Sequence, residues 1–167
     1  MPAKGHVGKS IESVLCAVVT VSDTRTVEND KSGRLIHDML EGQGHRIGDY
    51  RIIKDEPDEI RKLLKSYRAE VRIAAVLITG GTGLARRDTT FEAISGLLDK
   101  TLDGFGELFR SLSYDDIGSG AMLTRATAGI IGSMAVFSMP GSTGAVRLAM
   151  EKLILPELGH IAYLLEE

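Results

Sequence analysis

Short continuous apolar runs alternate along the chain with longer stretches whose apolar residues recur three and four positions apart. The continuous runs predict buried strands, at residues 15–21, 45–53, 73–79, 124–131 and 134–139. The spaced stretches predict helices, at 32–40, from Pro57 through 60–67, at 89–98, at 104–116 and at 145–155, the last ending near Pro156. This alternation predicts an α/β domain with a mainly parallel sheet and helices on both faces.

A turn signal, Gly132-Ser133, lies between the last two predicted strands. A short glycine-containing connection of this kind is typical of a β-hairpin, whose two strands run antiparallel. The hairpin is therefore expected to add an antiparallel edge to the otherwise parallel sheet.

Polar or turn-forming residues follow four of the predicted strands directly. The four clusters are Ser22-Asp23, Asp55-Glu56, residues 80–83 and Pro140-Gly141-Ser142. In open α/β sheets ligands bind at the carboxyl ends of the strands, and parallel strands bring these ends to one edge. The sequence therefore predicts that the four clusters meet in one site.

The most informative segment reads AAVLITGGTGLARRDTT, residues 74–90. A strand that opens through glycines into a helix exposes backbone N–H groups where the helix dipole adds positive charge, and this arrangement holds phosphate. Asp88, near the end of the segment, suits a magnesium ion carried by that phosphate. A tight strand–helix connection with Asp88 as helix N-cap is the alternative interpretation. Because Arg86 and Arg87 lie beside it, we favour phosphate chemistry.

Other known phosphate motifs do not fit the chain. Arg86 occupies the third glycine position of a Rossmann fingerprint that starts at Gly81. Gly8-Lys9-Ser10 resembles the end of a Walker loop, but Ala3 occupies the first glycine position and no strand precedes it. We interpret residues 1–13 as a flexible tail and residues 14–167 as a single domain.

The remaining polar clusters have two interpretations each. Read in isolation, Asp55 is a solvated turn residue before a helix, and Asp23 closes an Asx turn. Residues 140–143 form either a turn with a helix N-cap or a second anion pocket at a helix start.

Composition narrows the choice of ligands and compartments. A net charge of −3 without a basic block gives no electrostatic case for nucleic acid. The single cysteine, Cys16, and the four histidines show no zinc or iron–sulfur spacing. The first residues do not resemble a signal peptide, and no apolar run approaches the ~20 residues needed to cross a bilayer. A cytoplasmic protein without membrane partners is expected.

Five segments together resemble the molybdenum-cofactor biosynthesis family, which includes MogA, MoaB and the G domains of gephyrin and plant Cnx. They are TVSDTR (20–25), KDEP (54–57), LITGGTGLARRD (77–88), GFGELFR (104–110) and SMPGSTGAVRLAMEKLILPEL (138–158). The resemblance runs from about residue 14 to the end, and the C-terminal half is most similar to the bacterial MoaB branch. It implies a three-layer α/β/α sandwich that forms homo-oligomers, trimers or hexamers.

The resemblance also implies a ligand, molybdopterin, and a reaction. Catalytic members transfer AMP from MgATP to the terminal phosphate of molybdopterin and release pyrophosphate. Asp55 and Asp88 match the family's two essential aspartates, which we expect to hold Mg²⁺ or to orient the attacking phosphate. The residues matching the ligand-binding motifs are Thr79, Gly80, Gly81, Thr82 and Gly83, then Pro140, Gly141 and Ser142, and, in the first-strand motif, Ser22 and Asp23.

One departure from the family pattern and one retained segment bear on activity. In catalytic members the second turn often has the sequence PGxP, whereas in this chain Thr143 takes the place of the second proline. Some MoaB proteins lack the RRD segment and are inactive, whereas this chain keeps Arg86, Arg87 and Asp88. An adenylyltransferase is therefore favoured; a non-catalytic pterin carrier is the alternative, followed by an oligomeric scaffold with a vestigial pocket.

Overall fold

The chain forms one six-stranded sheet with helices on both faces. The computed structural model describes residues 8–69 and 72–167. The strands are β1 Leu15–Val21, β2 Arg46–Ile53, β3 Ala75–Thr79, β4 Lys100–Thr101, β5 Thr127–Ile131 and β6 Met134–Met139. The helices are α1 Lys31–Gly42, α2 Pro57–Ala69, α3 Thr90–Ser95, α4 Asp103–Ile117, α5 Thr143–Ala149 and α6 Leu155–Glu166. A 3-10 segment, Gly118–Leu123, follows α4, and a π-helical segment, Met150–Ile154, joins α5 to α6.

The strand order is β2-β1-β3-β6-β5-β4. The first four strands in this order run parallel, with Val18 of β1 opposite both Tyr50 of β2 and Leu77 of β3. β5 is antiparallel to β6, and β4 is antiparallel to β5. The mainly parallel sheet with an antiparallel edge is thus confirmed, including the hairpin at Gly132, whose φ of 61° suits glycine.

The continuous apolar runs are explained by burial on both faces of the sheet. Along β1, Cys16 and Val18 face one core, which packs against α1, α4, α5 and α6. Ala17 and Val19 face the other core, which packs against α2 and α3. A strand covered on both faces needs apolar side chains at every position rather than at alternate ones. The three-layer α/β/α architecture is confirmed.

The prediction that the last helix ends near Pro156 is wrong. Helical conformation continues from Thr143 through the π-helical segment to Glu166. Pro156 lies in the first turn of α6, where a missing N–H is tolerated, and the wider π turn before it changes the local hydrogen-bond pattern. The continuation places Leu158 and Ala162 in the larger core.

Other differences are smaller and concern the bounds of elements and one short strand. The strand predicted at 124–131 begins at Thr127, the helix predicted at 89–98 covers only Thr90–Ser95, and the edge strand Lys100–Thr101 was not predicted. The two residues of β4 are too few to show a strand pattern in the sequence. Their extended conformation is stabilised by pairing with β5.

Part of the predicted N-terminal tail is described, and residues 1–7 lie outside the described residues. The Ile11 N–H donates to the carbonyl of Gly159 at 3.0 Å, and His160 Nδ1 lies 3.0 Å from the Lys9 carbonyl oxygen. Within residues 8–69 and 72–167, no helix has the length and apolar character that a membrane span requires.

Candidate functional site

The ends of the four parallel strands meet at one edge of the sheet. The Ser22 N–H, after β1, donates to the carbonyl of Ile53 at the end of β2 at 2.9 Å. The Gly80 N–H, after β3, donates to the carbonyl of Met139 at the end of β6 at 3.0 Å. Thr79 Oγ1 donates to the carbonyl of Pro140 at 2.9 Å. The predicted convergence of the four polar clusters is confirmed.

Close packing and backbone conformation both require glycine at the start of the glycine loop, residues 80–88. Gly80 and Gly81 have φ values of 104° and 71°, in the region that disfavours side chains. A Cβ atom on Gly80 would lie 2.3 Å from the carbonyl oxygen of Val21. A Cβ atom on Gly81 would lie 2.0 Å from Thr90 Oγ1 and 2.7 Å from Asp55 Oδ2. The loop therefore passes directly over Asp55 and the start of α3.

Asp55 is buried, with 6% of its surface exposed, and is not the solvated turn residue of the isolated interpretation. Its Oδ1 accepts hydrogen bonds from Thr89 N–H at 3.1 Å and Thr89 Oγ1 at 2.6 Å. Its own N–H donates to Asp23 Oδ1 at 3.2 Å. Within the described residues no hydrogen bond reaches Oδ2, the oxygen beside Gly81. One carboxylate oxygen thus anchors the side chain and the other is left for a ligand.

Asp88 is half-buried and stabilises a turn of the glycine loop. Its Oδ2 accepts from the Ala85 N–H at 3.2 Å, and its N–H donates to the Ala85 carbonyl at 2.9 Å. The N-cap position of α3 is Thr89, so the N-cap interpretation of Asp88 is wrong. Asp88 Oδ2 lies 2.8 Å from the Cβ position of Gly83, as Asp55 lies beside Gly81. The carboxylates of Asp55 and Asp88 therefore lie against the same loop, the first at Gly81 and the second at Gly83.

The two arginines of the loop have different surroundings. Arg87 donates to Asp23 through Nε and Nη2, at 3.1 and 2.8 Å, and to Glu56 through Nη1 at 2.7 Å. These bonds join the loops that follow β1, β2 and β3, and they raise the pKa of Arg87. Arg86 is exposed, and no hydrogen bond or ion pair of its side chain occurs with the described residues. Arg86 is therefore the arginine available to an anionic ligand.

Replacing Arg87 by alanine is expected to raise the pKa of Asp23. That pKa lies below its usual value chiefly because the Arg87 side chain hydrogen-bonds to the carboxylate. A lowered carboxyl pKa stabilises the fold above the ordinary pKa and loses this effect as the pH falls through the folded value. The wild type should therefore exceed R87A in stability at neutral pH, with the difference disappearing in acid.

A carboxyl-detected NMR titration of Asp23 and urea unfolding across the acid range measure both effects. R61A, which breaks an exposed pair with Asp58 inside α2, is the control. An unchanged Asp23 titration in R87A would contradict the structural assignment of this ion pair.

The hydroxyls of Ser22 and Ser142 are used locally. Ser22 Oγ accepts from the N–H groups of Thr24 and Arg25 at 3.2 and 3.0 Å. Ser142 Oγ caps α5 by accepting from the Ala145 N–H at 3.2 Å. The cap favours the turn-and-cap interpretation of residues 140–143. A cavity of about 290 Å³ opens beside this turn, lined in part by Pro140, Ser142 and Thr124.

Sequence reasoning missed two residues of this edge. Thr90 Oγ1 is fully buried and has no hydrogen-bond partner in the described part of the chain. Arg125 donates through Nη2 to the carbonyls of Gly83 at 2.8 Å and Asp88 at 2.9 Å. Arg125 lies in a segment that was predicted as strand, where a single arginine carries no motif, so only the fold reveals its contacts.

Asp55 and Asp88 are the carboxylates beside the glycine loop that could hold a magnesium ion. Among residues 8–69 and 72–167, no three His, Cys, Asp or Glu side chains are grouped to hold a metal. Mg²⁺ usually binds through one or two carboxylates together with substrate phosphates and water. Asp55, with its free Oδ2, and Asp88 supply such a pair beside the glycine loop.

Comparisons with known proteins agree with this fold. Residues 17–160 match the family described as "Probable molybdopterin binding domain". "Molybdenum cofactor biosynthesis protein B" of Bacillus cereus is 54% identical over 165 residues, covering 98% of this chain and 97% of the relative.

Solved structures show the same likeness. A crystal structure of "Molybdenum cofactor biosynthesis protein B" has a TM-score of 0.91 at 54% identity, covering 95% of this chain and 99% of that one. The "tungsten cofactor synthesizing protein MoaB" of Pyrococcus furiosus has a TM-score of 0.82 at 39% identity, covering 93% and 99%. The chain belongs to the molybdopterin-binding domain family, which includes the MoaB proteins that it resembles at 54% identity.

Proposed function

We propose that this protein acts in molybdenum cofactor biosynthesis, binding molybdopterin at the carboxyl edge of the sheet and adenylylating it with MgATP. The observation that carries the proposal is the position of two carboxylates, Asp55 and Asp88, beside Gly81 and Gly83 of one glycine loop. Membership of the molybdopterin-binding family and 54% identity to a protein named for this pathway support the choice of ligand.

The proposed reaction is a nucleotidyl transfer. An oxygen of the terminal molybdopterin phosphate attacks the α-phosphorus of ATP, a new P–O bond forms, and the bond from the α-phosphorus to the β-bridging oxygen breaks. Pyrophosphate leaves with the bonding electron pair. Such reactions depend on positioning and charge stabilisation more than on covalent participation of the protein.

The residues of the site have roles that follow from their surroundings. Backbone N–H groups of residues 81–83 hold phosphate oxygens, as in other glycine turns that follow a strand, whereas the Gly80 N–H is bonded to the Met139 carbonyl. Asp55 is held by two hydrogen bonds from Thr89, so its free Oδ2 is fixed in place before a ligand binds. Arg86 supplies positive charge, since Arg87 is already paired with Asp23 and Glu56. Mg²⁺ carried by ATP neutralises phosphate charge when bound beside the aspartates.

Pyrophosphate release tests the proposed function. The purified protein with MgATP and molybdopterin is expected to release pyrophosphate and to form adenylyl-molybdopterin, detected by mass spectrometry. Omitting molybdopterin, or chelating Mg²⁺ with EDTA, should abolish the release. Molybdopterin binding without pyrophosphate would contradict the adenylylation and identify the protein as a carrier. Binding of neither ligand in calorimetry would identify a scaffold.

We further propose that the protein is a homo-oligomer, as the family resemblance implies. Several large apolar side chains are exposed close together, on the end of α4 and the 3-10 segment after it. They are Tyr114, Ile117, Met122 and Leu123, named here the 114–123 cluster. A cluster of this kind is typical of an interaction surface rather than of surface facing water.

Replacing Met122 by aspartate is therefore expected to dissociate the oligomer. The Met122 side chain is 75% exposed in the single chain, so a monomer would tolerate the change while an apolar interface would not. Sedimentation velocity should show the mass falling to that of one subunit. L164D changes a leucine on α6 that is 53% exposed outside the cluster, and it should leave the mass unchanged. A monomeric wild type would contradict the proposal.

A further inference from the structure

Arg125 contacts both ends of the exposed part of the glycine loop. Its N–H donates to the Thr82 carbonyl at 2.9 Å, and its Nε and Nη2 donate to the Gly83 carbonyl at 3.2 and 2.8 Å. The same Nη2 donates to the Asp88 carbonyl at 2.9 Å. A single residue therefore holds the two points between which residues 84–87 project into solvent.

The Arg125 side chain is itself held in place from two directions. Its Nη1 donates to Glu92 Oε1, and its guanidinium lies over the Phe91 ring, 5.3 Å from the centroid. Both partners belong to α3, which begins directly after Asp88 and Thr89. The planar guanidinium presents several donors in fixed directions, so it can bond two loop carbonyls and a carboxylate at once.

Two other sets of bonds act on this part of the loop. The Arg87 side chain bonds Asp23 and Glu56 outside the loop, and within it a pair of bonds joins Ala85 and Asp88. The Asp88 carboxylate takes part in that pair, so a loop that opens also moves the carboxylate. Arg87 anchors the loop through its own side chain, whereas Arg125 holds the backbone carbonyls of Gly83 and Asp88 themselves. The orientation of Asp88 therefore depends in part on Arg125.

We infer that Arg125 is a positioning residue, which fixes the glycine loop and thereby the Asp88 carboxylate for a phosphorylated ligand. The part that concerns catalysis rests on the proposed function, whereas the part that concerns the loop does not. Because a displacement of about 1 Å costs on the order of 10²-fold in rate, the loss of this support should appear in kcat.

Hydrogen exchange of the loop amides tests the structural part. R125A is compared with R147A, a control whose guanidinium donates to Glu151 and is bonded neither to the loop nor to the residues beside Arg125. The amides of Ala85 and Asp88 are expected to exchange about tenfold faster in R125A, since charge-assisted bonds are lost, and at the wild-type rate in R147A. Unchanged exchange in R125A, or an equal rise in R147A, would overturn the inference.

Steady-state kinetics test the catalytic part. R125A is expected to lower kcat by about 10²-fold while KM for ATP and the melting temperature stay close to the wild-type values. Millimolar guanidinium should restore part of kcat in R125A, and it should not do so in R125K, whose side chain still fills the space. A wild-type kcat in R125A would overturn the positioning role even if exchange is faster.

The two proposals fail in distinguishable ways. If the wild type releases no pyrophosphate, the adenylylation proposal fails, and hydrogen exchange still decides whether Arg125 holds the loop. If the wild type is active and R125A is equally active, only the inference on Arg125 fails.

Discussion

Replacing Asp88 by alanine is expected to reduce adenylylation by at least about 10²–10³-fold, the cost of losing one preorganised electrostatic contact. The side chain is half-buried beside Gly83, and its one hydrogen bond to the described residues is with a turn amide, so the fold should not depend on it. The melting temperature should therefore stay close to the wild-type value. Pyrophosphate release under saturating MgATP and molybdopterin measures the loss, and a thermal scan measures the fold.

D99A is the matched control for this prediction. Asp99 Oδ2 also accepts a hydrogen bond from a turn N–H, that of Gly132, at 2.7 Å. This turn, the β5–β6 hairpin, lies at the start of β6, whereas the candidate site lies at the carboxyl ends of the parallel strands. D99A should keep the wild-type rate. A wild-type rate in D88A would remove Asp88 from the mechanism, and an equal loss in D99A would mean that the effect is not specific to the site.

Replacing Gly81 by alanine is expected to abolish ligand binding and to destabilise the fold by about 1–3 kcal/mol. Two effects add. The φ of 71° is unfavourable for alanine, and the new Cβ would lie 2.0 Å from Thr90 Oγ1 and 2.7 Å from Asp55 Oδ2. Relief of these clashes must move the buried aspartate or the loop, and either movement separates the carboxylate from the backbone N–H groups. Urea unfolding and calorimetric titration with molybdopterin measure the two effects.

G96A is the control for G81A. Gly96 follows α3, has an ordinary helical φ of −71°, and has no atom within 4 Å of its Cβ position among the described residues. The G96A variant should have the wild-type free energy of unfolding and the wild-type affinity for molybdopterin. If G81A bound molybdopterin with wild-type affinity, the ligand would not approach the loop as we propose.

The sequence predicted the features of the fold that depend on local pattern. Continuous apolar runs identified the buried parallel strands, and glycine-rich turns identified where these strands end. The hairpin signal at Gly132 correctly indicated the antiparallel edge. The edge strand Lys100–Thr101 could not be found in this way, because it owes its conformation to β5 rather than to its own two residues.

Candidate site residues could be proposed from the sequence where a motif contained them, and contacts that only the fold creates were missed. Asp55 and Asp88 stand in recognisable segments, but the burial of the first and the turn bond of the second follow from tertiary packing. Arg125 follows the loop by some 40 positions, and its bonds reach backbone carbonyls, which carry no sequence signature. Pro156 likewise ended the predicted helix because the π-helical segment before it has no pattern of its own.

The structure of a complex with molybdopterin and a non-hydrolysable ATP analogue is the most direct test of the proposed site. We expect phosphate oxygens within hydrogen-bond distance of the N–H groups of residues 81–83, between the carboxylates of Asp55 and Asp88. Both ligands bound away from the carboxyl edge of the sheet, with neither aspartate in reach of a phosphate, would contradict it.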